Sequence, residues 1–211
     1  MTGLFPGRHG IVANNIKDPP MGRTFALSKR EEVGDAMWWG GEPIWVGAQR
    51  AGLNTAAMFW AGSAAPIGGV RPRYWLPYDE SYPANDRVDR VLQWLDLQAA
   101  ERPTLILLYF EDADTAGHEN GPDSPSVREA IKRLDAYLGR LLRGLADRIN
   151  IVVLSDHGMS ATGPHQVVVL DDYISLDDVA RLWTSIRRLA CTPSRARRML
   201  SIAPSSARTH G

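Results

Sequence analysis

The apolar run Thr104-Leu105-Ile106-Leu107-Leu108-Tyr109 limits the fold more than any other segment of this 211-residue chain. It has the length of a strand but not the alternation of a strand with one wet face, so it reads as a buried parallel strand covered on both sides by helices. Ile149 to Leu154 reads as a second strand of the same kind. Between the two, Ser124-Pro125 starts a helix, with Ser as the cap and Pro preset at the first position. Its apolar stripe runs through Val127, Ala130, Ile131, Leu134, Leu138, Leu141, Leu142 and Leu145. Upstream, Glu42 to Val46 opens a short amphipathic helix that Gly52 can end, and Leu53 to Trp60 reads as a strand. A long loop from Gly62 to Pro83 follows. Val88, Val91, Leu92 and Leu95 then form one helix face, with Arg87, Asp89, Arg90 and Asp96 largely outside it. This alternation predicts an α/β fold: a mainly parallel sheet with helices on both faces, and ligands at the carboxyl ends of its strands.

Charge divides the chain in two. The 24 Lys and Arg balance the 24 Asp and Glu, yet all the acidic residues precede residue 180, and residues 181–211 hold seven Arg with no Lys, Asp or Glu. The expected division is therefore a domain over 1–178 and a basic tail over 179–211, disordered or encoded out of frame. The tail lacks aromatic interleaving beyond Trp183, which argues against a nucleic-acid polymer as partner. No apolar run approaches the roughly 18 residues of a membrane span. The N-terminus shows no signal peptide. The single Cys191 excludes an internal disulfide and a cysteine metal cluster.

Two polar clusters fall at strand ends. Glu111-Asp112-Ala113-Asp114-Thr115-Ala116-Gly117-His118 follows the first buried run, and Ser155-Asp156-His157-Gly158-Met159 follows the second. Carboxylate oxygen with imidazole nitrogen suits Zn²⁺ and other divalent first-row ions. Asp114 and His118 can meet one ion from a single helical turn, whereas Asp156 and His157 need a sharp bend, which Gly158 permits. Either pair alone is better explained by helix capping or chance than by a metal site. Both together supply four ligands of a two-metal site suited to displacement at phosphorus.

These clusters also carry a resemblance. Tyr109-Phe110-Glu111-x-x-Asp114-x-x-Gly117-His118-x-x-Gly121-Pro122 and Ser155-Asp156-His157-Gly158-Met159 resemble the nucleotide pyrophosphatase/phosphodiesterase family of the alkaline phosphatase superfamily. Gly3-Leu4-x-Pro6-x-x-His9-Gly10-Ile11-Val12-x-Asn14, Trp39-Gly40-Gly41-Glu42-Pro43-Ile44-Trp45 and Phe59-Trp60-x-Gly62-Ser63 extend it from about residue 2 to about residue 178. The resemblance implies an alkaline-phosphatase-like core, incomplete here, and two divalent metal ions, taken to be zinc. Asp114 and His118 resemble ligands of the first ion, and Asp156 and His157 those of the second. Asn14 resembles the donor to a non-bridging phosphate oxygen. Trp60 and Tyr78 resemble the lining of a pocket for a small phosphodiester or nucleotide, with the tyrosine stacked on the base. Ala61 stands where the family usually has a proline after that tryptophan.

The resemblance places the nucleophilic threonine at a position that would precede Met1, so no residue here takes that role and Thr2 is not promoted to it. The expectation is a chain truncated at both ends, inactive by itself, from a family that is periplasmic or extracellular. Two alternatives stand beside it: another hydrolase of the superfamily, such as a sulfatase or phosphomonoesterase, and a non-catalytic fragment that binds phosphate-bearing ligands. His9 reads as a structural histidine, His165 as a solvated loop residue, and Trp38, Trp39 and Trp45 as core or interface aromatics. Oligomeric state is not legible.

Overall fold

A computed structural model describes residues 1–145, 149–169, 172–173, 175, 179–185 and 188–193. Its elements are helices α1 (Pro6–His9), α2 (Arg30–Val33), α3 (Ile44–Arg50), α4 (Ala84–Leu95), α5 (Asp112–Asn120) and α6 (Pro125–Leu145), and strands β1 (Asn15–Asp18), β2 (Arg23–Ala26), β3 (Thr55–Met58), β4 (Tyr74–Leu76), β5 (Leu105–Leu108), β6 (Val179–Ser185) and β7 (Arg188–Pro193). The chain divides into two compact units, Met1–Ala161 and Thr162–Gly211.

The first unit is built on a sheet of order β4-β3-β5 in which both pairs run parallel. Every side chain of β3 is buried, as expected when both faces of a central parallel strand are covered. On one face, Trp38, Trp39, Trp45, Val46 and Phe25 form a core that Leu107 touches. On the other, Ala56, Met58, Val91 and Trp94 pack with Ile106, Leu108 and Leu141. Alternate residues of β5 thus touch opposite cores, the period-two geometry of a strand, but β5 is an edge of this sheet and all four of its residues are only half-buried, less enclosed than the sequence run implies. The tryptophans read as core or interface residues are core.

Local chemistry explains the helix limits. Ser124 Oγ accepts from the Val127 amide at 3.3 Å, capping α6 where Pro125 begins it. Gly52, just past α3, has a left-handed φ of +82° that a side chain would resist. α6 packs on α4 at Gly144, where Leu92 fills the space of a side chain. The antiparallel hairpin β1–β2 lies beside the first core.

Three sequence expectations are corrected. Ile149 to Leu154 forms no strand, and Val152, Val153 and Leu154 are largely exposed. A strand is completed by neighbours that take its backbone hydrogen bonds, and among the described residues this run has no ladder partner. Ile131 and Leu142 of the proposed α6 stripe are exposed at 53% each, so the buried face is narrower than the apolar one. Arg87, read as outside the apolar face of α4, is 2% exposed.

In the second unit β6 and β7 pair antiparallel with a register shift between Val179 and Arg181. The composition of the tail does not announce this pairing. Residues 194–211 lie outside the described residues.

Candidate active site at the end of the parallel sheet

The carboxyl ends of β3 and β5 converge on one place. After β5 the chain passes through Tyr109, Phe110 and Glu111 directly into α5, which carries Asp114 and His118 four residues apart on one face. Asp114 Oδ1 is 3.5 Å from His118 Nε2 and 3.8 Å from His157 Nε2, and Asp156 Oδ2 is 3.6 Å from the same His157 nitrogen. All four sequence-predicted ligands therefore come together, with Asp114 and His157 joining what the sequence read as two separate pairs.

These separations exceed ordinary hydrogen bonds. Asp114 Oδ1 is shielded from solvent with no hydrogen-bond partner, a state that costs about 1–3 kcal/mol for a polar atom and more for a charged one unless something else satisfies it. Ligands at about 2.0–2.1 Å around a tetrahedral cation stand roughly 3.3 Å apart, slightly less than the spacings seen here. No group of three or more His, Cys, Asp or Glu among the described residues converges closely enough to hold a metal as it stands. The donor types fit a divalent cation, and the spacings require a small closure around it.

The Asp156-His157 segment is held by local bonds and by α5. The His157 amide donates to Asp156 Oδ1 at 3.1 Å, and His157 Nδ1 lies 3.0 Å from the Gly158 carbonyl oxygen. Met159, half-buried, lies in a notch on α5 at Gly117. The bend at Gly158 uses no left-handed φ, and a Cβ there would meet nothing, so glycine is not what the turn requires.

The other predicted residues are placed less centrally. Tyr78 is 46% exposed, with its ring edge-on to Phe59 at 5.6 Å. Trp60 is half-buried against the first core, and its carbonyl accepts from the Ser63 amide and hydroxyl at 3.1 and 2.7 Å. Asn14 is exposed at the start of the β1–β2 hairpin, where its carbonyl accepts from the Leu27 amide. His9 Nδ1 accepts from the Ile11 amide, a local structural use. Burial pushes the Tyr109 hydroxyl up to about 12, and the negative charges of Asp156, Asp114 and Glu111 add to the effect. Burial raises Tyr78 as well, with help from Glu111. An open groove of about 720 Å³ runs beside a different face of α5, lined in part by Tyr82, Arg87, Glu111, Thr115 and Tyr137. It contains none of the four candidate ligands, so the candidate site is a surface constellation rather than this groove.

Sequence reasoning missed Arg87. Its guanidinium grips both oxygens of Glu111, Nη1 to Oε2 at 2.6 Å and Nη2 to Oε1 at 2.7 Å. Burial pulls its pKa down, but the hydrogen bonds and charge of Glu111 outweigh this and leave it raised. The available signal was Glu111: a carboxylate directly after a buried strand needs a cationic partner.

The sequence model of the "Type I phosphodiesterase / nucleotide pyrophosphatase" family matches residues 1–208. The chain is 41% identical over 178 residues to ectonucleotide pyrophosphatase/phosphodiesterase family member 3 of Rattus norvegicus, covering 82% of this chain and 20% of that protein. It is 40% identical over 183 residues to a venom phosphodiesterase of Macrovipera lebetinus, covering 84% of this chain and 21% of that protein. The structure of murine ectonucleotide pyrophosphatase/phosphodiesterase 5 superposes with a TM-score of 0.83 at 35% identity, covering 93% of this chain and 53% of that one. An inactive form of that mouse protein is known in complex with AMP, with the same likeness to this chain. The chain thus spans about a fifth of these curated relatives and about half of the solved structure. Its α/β architecture is the alkaline-phosphatase-like core that the motifs implied, and the chain belongs to the type I phosphodiesterase/nucleotide pyrophosphatase family.

Proposed function

We propose that Asp114, His118, Asp156 and His157 form the divalent-metal end of a phosphodiesterase site acting on a small phosphodiester or nucleotide. The observation that carries this reading is Asp114 Oδ1, shielded and unpartnered, with two imidazole nitrogens within 3.8 Å. Zinc held there would supply Lewis acidity toward a phosphoryl oxygen and lower the pKa of bound water toward about 7. The protein's own part is to hold ligands, orient substrate and donate hydrogen bonds. Asn14 is the proposed amide donor to a phosphate oxygen. Tyr78, exposed and braced edge-on by Phe59, is the proposed face for a nucleobase. Trp60 would close the pocket wall with less freedom, since the core already holds it. AMP in the murine neighbour and the ectonucleotide and venom names of the relatives support a nucleotide-type substrate and an extracellular setting. Among the described residues no helix is long and apolar enough to cross a membrane.

The nucleophile is not assigned to this chain. The Thr2 hydroxyl accepts from the Leu4 amide at 3.3 Å, a local turn contact, and no other position matches the family's threonine. The chain by itself is therefore proposed to bind metal and phosphate ligands with slow hydrolysis at most. Turnover of a nitrophenyl phosphodiester by the zinc-loaded chain tests this. Little or no turnover is expected. Rapid hydrolysis, lost in Asp114→Ala and Asp156→Ala, would overturn the inactivity while keeping the site. Rapid hydrolysis unaffected by either substitution would overturn the site itself.

A further inference from the structure

Arg87 stands at a junction that no ligand assignment explains. It is 2% exposed, and besides gripping Glu111 it donates from Nε to the Tyr82 carbonyl at 3.2 Å and from Nη1 to the Tyr109 carbonyl at 3.4 Å. Its Cζ lies 4.6 Å from the ring centre of Phe59 and 5.7 Å from that of Phe110. One planar cation thus ties together α4, the ends of β3 and β5, the loop before α4, and the start of α5. Arginine alone among side chains offers a rigid fork of donors with flat faces for aromatic rings.

Two departures from local preference point the same way. Glu111 occupies the N-cap of α5, a place that short acceptors such as Ser or Asp ordinarily fill so as to take a first-turn amide, and its side chain makes no capping bond. Both its oxygens are given to Arg87 instead. Phe59 has a φ of +62°, a conformation that a bulky side chain adopts only when its surroundings hold it there. Its ring is held by Arg87, Tyr78 and Tyr82.

We infer that Arg87 is a positioning residue: by fixing Glu111 it sets the rotational phase of α5, and so the direction in which Asp114 and His118 present their donors. The phase matters because each residue of an α-helix turns about 100°, and Asp114 follows the anchored Glu111 by three positions. The inference rests on the metal-site reading of Asp114 and His118.

The test compares Arg87→Lys, which keeps the charge and loses the fork, with wild type and with Arg90→Lys, an exposed control on the same helix. The first readout is the imidazole ¹H–¹⁵N NMR spectrum of the metal-free chain well below its melting temperature. The second is Zn²⁺ affinity by calorimetry. Positioning predicts that the His118 and His157 signals shift in Arg87→Lys and that zinc binding weakens about ten-fold or more, the range typical of groups that orient ligands. Arg90→Lys should match wild type. A lower melting temperature with unchanged imidazole signals would show a structural pair only and overturn the inference. If wild type binds no zinc, the metal-site reading fails, while the imidazole spectra still decide whether Arg87 sets the geometry. Should Arg87→Lys not fold, Glu111→Gln, which keeps shape and one acceptor, is read by the same spectra.

Discussion

Met159 occupies the space that a Cβ on Gly117 would need, and this contact seats the segment bearing Asp156 and His157 against the helix bearing Asp114 and His118. Two residues before Met159, His157 Nε2 stands 3.8 Å from Asp114 Oδ1, a spacing that this seat is expected to maintain. Gly117→Ala should separate stability from site geometry. Alanine gains roughly 1 kcal/mol of helix propensity over glycine, and displacing a flexible thioether gives back an amount of similar size. The melting temperature should therefore move little, while the His157 imidazole resonances shift and Zn²⁺ affinity falls. Unchanged resonances would show that the notch does not hold the segment.

Ser124→Ala should cost about 1 kcal/mol in urea unfolding, since Ser124 Oγ is the acceptor for an α6 amide that otherwise goes unpaired. The zinc affinity should stay at the wild-type value, because the cap lies outside the four-residue group.

Tyr109 gives a sign-definite pH dependence. Its hydroxyl is raised from 10.0 to about 12 in the folded chain, by burial first and then by nearby carboxylates. The folded state keeps the proton where the unfolded state loses it. This contribution is complete below pH 10 and is lost as the pH climbs toward 12. Tyr109→Phe should flatten that part of the stability profile and leave the profile near neutrality parallel to wild type. A Phe variant with the same alkaline slope would assign the slope to another group.

Two of the buried indoles, Trp39 and Trp45, should respond differently to loss of the N–H. Trp39 Nε1 donates to the Val33 carbonyl at 3.0 Å, whereas Trp45 Nε1 is buried without a partner. Trp39→Phe removes volume and also orphans a carbonyl. Trp45→Phe removes volume but relieves an unsatisfied donor worth about 1–3 kcal/mol. Chemical denaturation should find Trp39→Phe the more destabilising of the two. The reverse order would show that Trp45 Nε1 is satisfied in solution.

What the sequence made legible divides along physical lines. Regular elements announced themselves where the local pattern is strong: Leu105–Leu108 has no polar face and forms a strand, though a half-buried one, and Ser124-Pro125 carries its own capping chemistry. The four candidate ligands were legible because Asp and His recur after two apolar runs, of which only Leu105–Leu108 forms a strand. Ile149 to Leu154 was not, since an apolar run specifies burial but not the partner that makes it a strand. Arg87 was hidden because helical spacing sorts residues by hydropathy, and a buried ion pair breaks that rule only when its partner, Glu111, is known. The approach of Asp114 to His157 and the neighbouring Met159–Gly117 contact are tertiary facts that neither motif contains.

The central claim is that Asp114 is the common member of a metal-binding group, and zinc titration of the purified chain by calorimetry tests it most directly. The account predicts saturable Zn²⁺ binding by wild type that is lost in Asp114→Ala and weakened in His157→Ala, with the fold of both variants intact by circular dichroism. Equal zinc affinity in wild type and folded Asp114→Ala would contradict it.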